Sequence, residues 1–455
     1  MEFYAKSETN RGYIKNMEVI AHHDLDDHYA FQTQLYRTDE GKYYLYCGCY
    51  FGYGVEILDV TDPSNPTTVQ YMPVADPEVH PYMATPKIQI CEDLMIVSMG
   101  NCIDFLHGKA PGKYEPIEAG IKIYSLKNDP ENPEYLSFWS TGTGDPHDAG
   151  VHRFTYNGGR YIHLTACAKG YMGFIYRIID IQDVYHPVEA GRWFLPGQFV
   201  GNQTAETIKK NFNGWSEGCM YPGFVHFVYA EGDKAYLSCS GQGFKILDIS
   251  DVSAPKVIGE IATHPPFSKK FGGAACHTFM PLHETSYAVG LQEGERFWIA
   301  SDDMLKHFGK QGYRGIEIFD IEDPSDIEMI SVFPYPEVPE NWPWDNFNYC
   351  GQIVPGPFGP HNIHEPMTNK PWLEDDPTRV YDCYFHAGVR VYDVSDPYIP
   401  KELAYFIPPN PEKLNYELEM ANPPLGTMED IVVDERGYIY ANAMHDGLYI
   451  LKCLV

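Results

Sequence analysis

Basic residues are scarce in this chain. Lysine and arginine number 33 against 63 aspartates and glutamates, for a net charge of −30 at pH 7. Nucleic acid and anionic membrane surfaces repel such a chain, so neither is expected as a partner. No stretch of eighteen apolar residues exists, so no membrane-spanning helix is expected. The first sixteen residues, MEFYAKSETNRGYIKN, contain no apolar core of a secretory signal, and a cytoplasmic location is the expectation. The CxxC spacing of zinc sites is absent. Eleven cysteines are scattered, with only Cys47 and Cys49 close together, which suits buried, reduced thiols. No glycine-rich phosphate loop, G-x-S-x-G elbow, kinase signature or dinucleotide fingerprint is found. Helix-period patterning is scarce as well.

What the chain does contain is a repeat. VEILDVTDPSNP starts at Val55, IKIYSLKNDPENP at Ile121, YRIIDIQDVYHP at Tyr176 and FKILDISDVSAP at Phe244. IEIFDIEDPSDI follows from Ile316, VRVYDVSDPYIP from Val389, and the chain closes on LYILKCLV from Leu448. Each of these copies is a short β-branched strand, and in all but the truncated last one a polar turn of the Asp-x-x-Asp-Pro type follows. A strand such as KVIGEIA comes next, and two further strands precede each copy. Four strands per unit, repeated seven times, point to an all-β fold: a seven-bladed β-propeller of four-stranded antiparallel blades. The seventh unit stops after its third strand. MEVIAHH, Met17 to His23, lies where the missing outer strand belongs, so an N-terminal strand is expected to close the ring. The whole chain, residues 1–455, then reads as one domain, with 1–16 an extension and 17–23 the closing strand.

The copies of [IV]-x-D-[IV]-[ST]-D-P resemble the LVIVD-repeat family of seven-bladed propellers. HHDLDDHYAFQ, GGRYIHLTA, FGPHNIHEP, FHAGVRVYDVSDP and MEDIVVDERGYIY are similar to one cytoplasmic bacterial branch of it. That resemblance implies the fold and carries no settled reaction.

Histidine placement supplies the chemical hypothesis. The innermost strand of a blade starts at the top of the central channel. Units three to six start it at GVHRFTY, FVHFVYA, ACHTFMPL and FGPHNIHEP, which puts His152, His226, His277 and His361 at one structural place. The seventh unit puts Glu429 and Asp430 there. Neutral imidazole is a common transition-metal ligand, so the four histidines are read as the ligands of one divalent ion. The plainer alternative is four polar strand starts bonded to neighbouring carbonyls. Glu429, Asp430 and Glu365 are the candidate acceptors for imidazole N–H groups. His364, His386 and His445 share the top face by position and join Glu429 and Asp430 as candidate catalytic residues. His147 competes with His152 as the ligand from its blade.

Four axial histidines resemble, in geometry alone, the carotenoid cleavage oxygenases, which are seven-bladed propellers with four histidines on iron(II). Copper-dependent methanethiol oxidases are a more distant comparison. The expectation is therefore a metal-dependent enzyme, in the first instance an iron(II)- and oxygen-dependent oxidoreductase, with zinc, manganese or copper as alternative ions. A lyase, isomerase or hydrolase using the ion as a Lewis acid is the second form, and a non-catalytic binding protein or scaffold the third. Residues 194–218 and 333–352 are longer than hairpins require and rich in aromatics, which suits lids over a small apolar or aromatic substrate.

Overall fold

The Asp-x-x-Asp pattern builds a pair of side-chain-capped turns. Asp59 Oδ1 accepts the Thr61 N–H at 2.9 Å, and Asp62 Oδ1 accepts the Ser64 N–H at 3.0 Å. The same two bonds recur at Asp180 and Asp183, Asp248 and Asp251, Asp320 and Asp323, and Asp393 and Asp396. An aspartate that bonds the backbone two residues on reverses the chain within a few residues, which sends each third strand back as a fourth. Serine hydroxyl and amide donors hold Asp62, Asp251 and Asp323 below the usual carboxylate range.

A computed structural model describes residues 12–49, 53–76, 87–100, 118–144, 148–201, 224–262, 276–292, 315–342, 347, 358–413 and 426–455. The strands form seven four-stranded sheets in which every neighbouring pair is antiparallel. Blade one is Ala30–Arg37, Tyr43–Cys49, Gly54–Asp59 and Thr67–Pro73. Blade two is Ile88–Cys91, Leu94–Met99, Gly120–Ser125 and Glu134–Ser140, and blade three is Val151–Thr155, Tyr161–Ala166, Ile175–Asp180 and Val188–Trp193. Blade four is Phe227–Glu231, Lys234–Ser238, Phe244–Asp248 and Lys256–Ile261. Blade five is Cys276–Pro281, Tyr287–Gln292, Ile316–Asp320 and Glu328–Val332. The first strands of blades seven, one and two touch in succession, as do those of blades three, four and five, so they line the channel. No α-helix occurs among the described residues.

The last two blades recruit the N-terminus. Blade seven is Met428–Val433, Tyr438–Ala443 and Gly447–Cys453, and its outer strand is Met17–His23, paired from Met17 opposite Cys453 to His23 opposite Leu448. The ring is therefore closed by an N-terminal strand. Within the N-terminal extension, Tyr13–Lys15 adds outside Lys401–Ile407 of blade six. That sheet also holds Arg379–Cys383 and Val389–Asp393, and its channel side is an abbreviated strand. There, His361 N–H donates to Cys383 O, Cys383 N–H to Asn362 O, and His364 N–H to Tyr381 O, each at 2.9 Å.

Apolar layers fill the gaps between blades. Leu45, Ile57, Ile88, Met95, Tyr440 and Ile450 join blades seven, one and two in one core, while Phe227, Phe279, Ile318 and Tyr392 join blades four to six. All seven residues of Tyr43–Cys49 are buried, because a middle strand has a blade on each side. Cys47, Cys49, Cys91, Cys239, Cys276 and Cys383 are buried, unbridged thiols within these layers.

Candidate functional site

All four histidines of the repeated position stand where their blade's innermost strand begins. His152 and His277 are second residues of their strands, and each falls in a register shift, between Val151 and Arg153 and between Cys276 and Thr278. Glu429 sits in the same kind of shift between Met428 and Asp430. A bulge of this type takes one residue out of the ladder and re-aims its side chain, here on the strands that line the channel. His226 precedes Phe227–Glu231 and donates its backbone N–H to Ser238 O at 2.8 Å.

The rings form a row across four blades. Centroids of His152 and His226 are 4.4 Å apart, those of His226 and His277 4.2 Å, and those of His277 and His361 4.7 Å. His226 Nδ1 donates to His277 O at 3.0 Å, and His361 Nδ1 donates to Glu429 O at 2.8 Å. A carbonyl only accepts, so both rings carry their proton on Nδ1 and Nε2 is the unprotonated nitrogen when they are neutral. His152 Nε2 lies 2.7 Å from His226 Nε2, so in the neutral pair the His152 ring donates there. His277 Nδ1 is 2.8 Å from Thr278 Oγ1. His226, His277 and His361 are buried, whereas His152 is half-buried. Aromatic rings flank the row: His152 stacks on Phe174 at 4.8 Å with Phe224 edge-on, and His361 stacks on Phe385 at 4.7 Å. As the chain stands, no three His, Cys, Asp or Glu side chains among the described residues converge as a ready metal-ligand set.

The other expected site residues take different places. The Glu429 main-chain oxygen holds His361, while Glu429 Oε1 stands 3.6 Å from Nδ1, beyond hydrogen-bond reach. Asp430 turns to blade one, accepting Thr33 N–H at 2.7 Å and Thr33 Oγ1–H at 3.2 Å, and burial pushes its carboxyl up to about 7. Glu365 pairs with Arg153. His364 does not join the row: Nε2 donates to Glu374 O at 2.8 Å, Nδ1 accepts Val433 N–H at 3.2 Å, and burial lowers it to about 4. Both of its ring nitrogens are thus engaged by backbone. His386 lies under Phe347 and Phe358, and His445 meets Tyr29 edge-on, lowered to about 4 by burial. His147 lies outside the described residues, as do 202–218 of the first aromatic segment and most of 343–352 of the second.

Two features escape a sequence reading. Arg153, 2 % exposed, crosses from blade three to blade six, donating Nη1 to Asn362 Oδ1 at 2.7 Å and Nη2 to Glu365. Below it, residues 365–376 span the far end of the channel. Tyr229 donates to Pro366 O, Asn369 Nδ2 to Asn157 O, Lys370 Nζ to Gln89 Oε1 and Trp372 Nε1 to Leu35 O, at 2.7 to 2.8 Å. Glu374 N–H bonds Val433 O, and Asp375 bonds His283, so this stopper is tied to all six other blades as well as to its own, where Tyr381 donates to Glu374 Oε1 at 2.6 Å. Burial lowers Lys370 to about 8.

The repeat geometry and the sequence comparison agree. Residues 222–263 match the LVIVD repeat. This LVIVD repeat spans blade four and includes His226. No curated protein matches the chain. Among solved structures, it is similar to the Myceliophteria thermophila Cps50 (Swd1) β-propeller domain, at 9 % identity and a TM-score of 0.51, covering 98 % of this chain and 100 % of that one. It is also similar to the periplasmic gluconolactonase PpgL of Pseudomonas aeruginosa, at 10 % identity and a TM-score of 0.50, covering 92 % and 94 %. Likeness at these identities shows the fold alone.

Proposed function

We propose that this propeller is a metal-dependent enzyme acting on a small apolar or aromatic molecule at the top of its channel, with His152, His226, His277 and His361 as nitrogen donors. The observation that carries this reading is the contiguous row of four imidazoles, each from a different blade, with the tautomers of His226 and His361 set by main-chain carbonyls. Such donors fit a borderline divalent ion: imidazole binds it in the neutral form, and backbone carbonyls hold the orientation of His226 and His361. Iron(II) is the ion we favour, with zinc, manganese or copper as alternatives. When bound, the ion supplies a Lewis acid and, as iron(II), a redox centre, so an oxidoreductase is the first form of the proposal and a lyase, isomerase or hydrolase the second. Phe174, Phe224 and Phe385 give the row apolar walls, which favours an apolar or aromatic substrate over a phosphorylated one. That catalysis is compatible with the fold is illustrated by the gluconolactonase, whose chemistry is not carried over.

One observation favours a second reading. Two nitrogens bound at ~2.1 Å to one ion stand roughly 3.0–3.4 Å apart. The 2.7 Å contact between His152 and His226 is instead that of a direct imidazole hydrogen bond, as in a binding protein with a polar channel. Metal analysis separates the two. Tag-free protein, reconstituted anaerobically with iron(II), is expected to hold one ion per chain. Alanine at any one of the four histidines is expected to remove most of that ion and to leave the circular dichroism spectrum unchanged. Glu429→Gln should retain the ion, because the main-chain oxygen holds His361. Protein that takes up no iron, zinc, manganese or copper defeats the enzymatic reading in favour of the binding one.

A further inference from the structure

The histidine row has two ends, His152 on blade three and His361 on blade six. Each end residue is followed in sequence by one member of a bond across the channel. Arg153 follows His152, Asn362 follows His361, and Arg153 Nη1 donates to Asn362 Oδ1 at 2.7 Å. The segment that carries His361 needs this support. Blades three and five present the equivalent residue on strands of five and six residues, Val151–Thr155 and Cys276–Pro281. Among the described residues, blade six has the short stretch from His361 to His364, held to Arg379–Cys383 by three backbone bonds, two of which make the bridge between Ile363 and Asp382.

The bond also reaches the His361 ring. With its oxygen taken by Arg153, the Asn362 amide must present Nδ2 on its other side, where it donates to Glu429 O at 2.9 Å. That carbonyl is the one that accepts His361 Nδ1–H at 2.8 Å. The second guanidinium nitrogen engages Glu365 on the same segment, and the group lies over the Phe227 ring, 4.9 Å from its centroid. A planar fork that serves two acceptors at once is specific to arginine; lysine, with one nitrogen, cannot reproduce it.

We propose that Arg153 is a positioning residue: through Asn362 it sets the separation of the two ends of the histidine row and holds in place the Glu429 carbonyl that fixes the tautomer of His361. The role bears on metal binding only if the enzymatic reading above is correct, so the test carries one readout that needs no metal. The variants are Arg153→Lys, which keeps a cation beside Glu365, and Asn362→Ala, which removes the link and keeps the arginine. In metal-free protein labelled with 15N-histidine, wild type is expected to show His361 protonated on Nδ1 alone. Both variants are expected to lose that single tautomer, while the His283 signals stay where they are. For added cobalt(II), a spectroscopic probe of nitrogen ligation, affinity should fall roughly 10–100-fold in each variant and the absorption bands should change. Folded variants with an unchanged His361 signature and unchanged cobalt(II) affinity overturn the positioning role. A changed His361 signature in a protein that binds no metal in any form upholds that role and overturns the metal reading instead.

Discussion

His283 belongs to no repeated position, yet it stands between two carboxylates. Its Nδ1 faces Asp375 at 2.7 Å, and its Nε2 faces Glu231 at 3.1 Å and the Tyr229 hydroxyl at 2.9 Å. The bond to Glu231, working against burial, raises the imidazolium from 6.5 to about 9. Burial alone would push Glu231 up, but bonds from His283 and Thr368 hold it below its ordinary value. A pKa raised on folding stabilises fully below the unfolded value of 6.5, and that contribution is lost as pH rises through about 9. Wild type should therefore lose about 3 kcal/mol of unfolding free energy between pH 6 and 9.5 that His283→Gln does not lose. Urea unfolding at a series of pH values measures this, and parallel profiles for the two proteins would refute it. The contact was not legible beforehand, because Glu231 and Asp375 lie on blade four and the stopper. The histidine row was partly legible, since each member opens the same strand of its repeat. Arg153 was not: its partner Asn362 is 209 residues away, and no local pattern marks a bond across a ring.

At the level of elements, the turns and strands followed from Asp spacing and β-branched runs, while the irregularities did not. Register shifts at His152, His277 and Glu429 leave no compositional mark, because a bulge inserts one residue without changing its type. The packing of one blade on the next is similarly hidden in single glycines. A Cβ on Gly259, in the fourth strand of blade four, would lie 2.0 Å from Pro324 O in the turn of blade five. On Gly191 of blade three it would lie 1.8 Å from Val252 O in the turn of blade four. Backbone cannot yield as a side-chain tip does, so the blades would have to part. Gly259→Ala and Gly191→Ala should each cost roughly 1–3 kcal/mol, read as a lowered urea midpoint at unchanged slope. A midpoint within experimental error of wild type would mean that the turns are not in contact with those strands.

A propeller is stable as a ring because each blade has a neighbour on both sides, and the whole molecule depends on how that ring is joined. Here the joint is the pairing of Met17–His23 with Gly447–Cys453, which ties one end of the chain to the other by backbone hydrogen bonds. The truncated seventh repeat made this closure legible in the sequence, since three strands leave an open edge. The additional outer strand Tyr13–Lys15 was not legible, because three residues carry too little pattern. The two strands should differ in weight. Removing residues 1–16 strips a three-residue strand from blade six and leaves the joint intact, so the melting temperature should change little. Removing residues 1–24 exposes the edge of Gly447–Cys453 and should lower the melting temperature by at least about 5 °C and promote self-association through the bare edge. The joint needs the strand and not its place in the sequence. A strand that followed Val455 through an Asp-x-x-Asp-Pro turn would run antiparallel to Gly447–Cys453, as Met17–His23 does now. Moving residues 17–23 to that position in the shortened chain should restore most of the lost melting temperature and the monomeric state. If the transplanted strand restores neither, the deletion acts through something other than the open edge, and pairing across the joint is not what closes the ring.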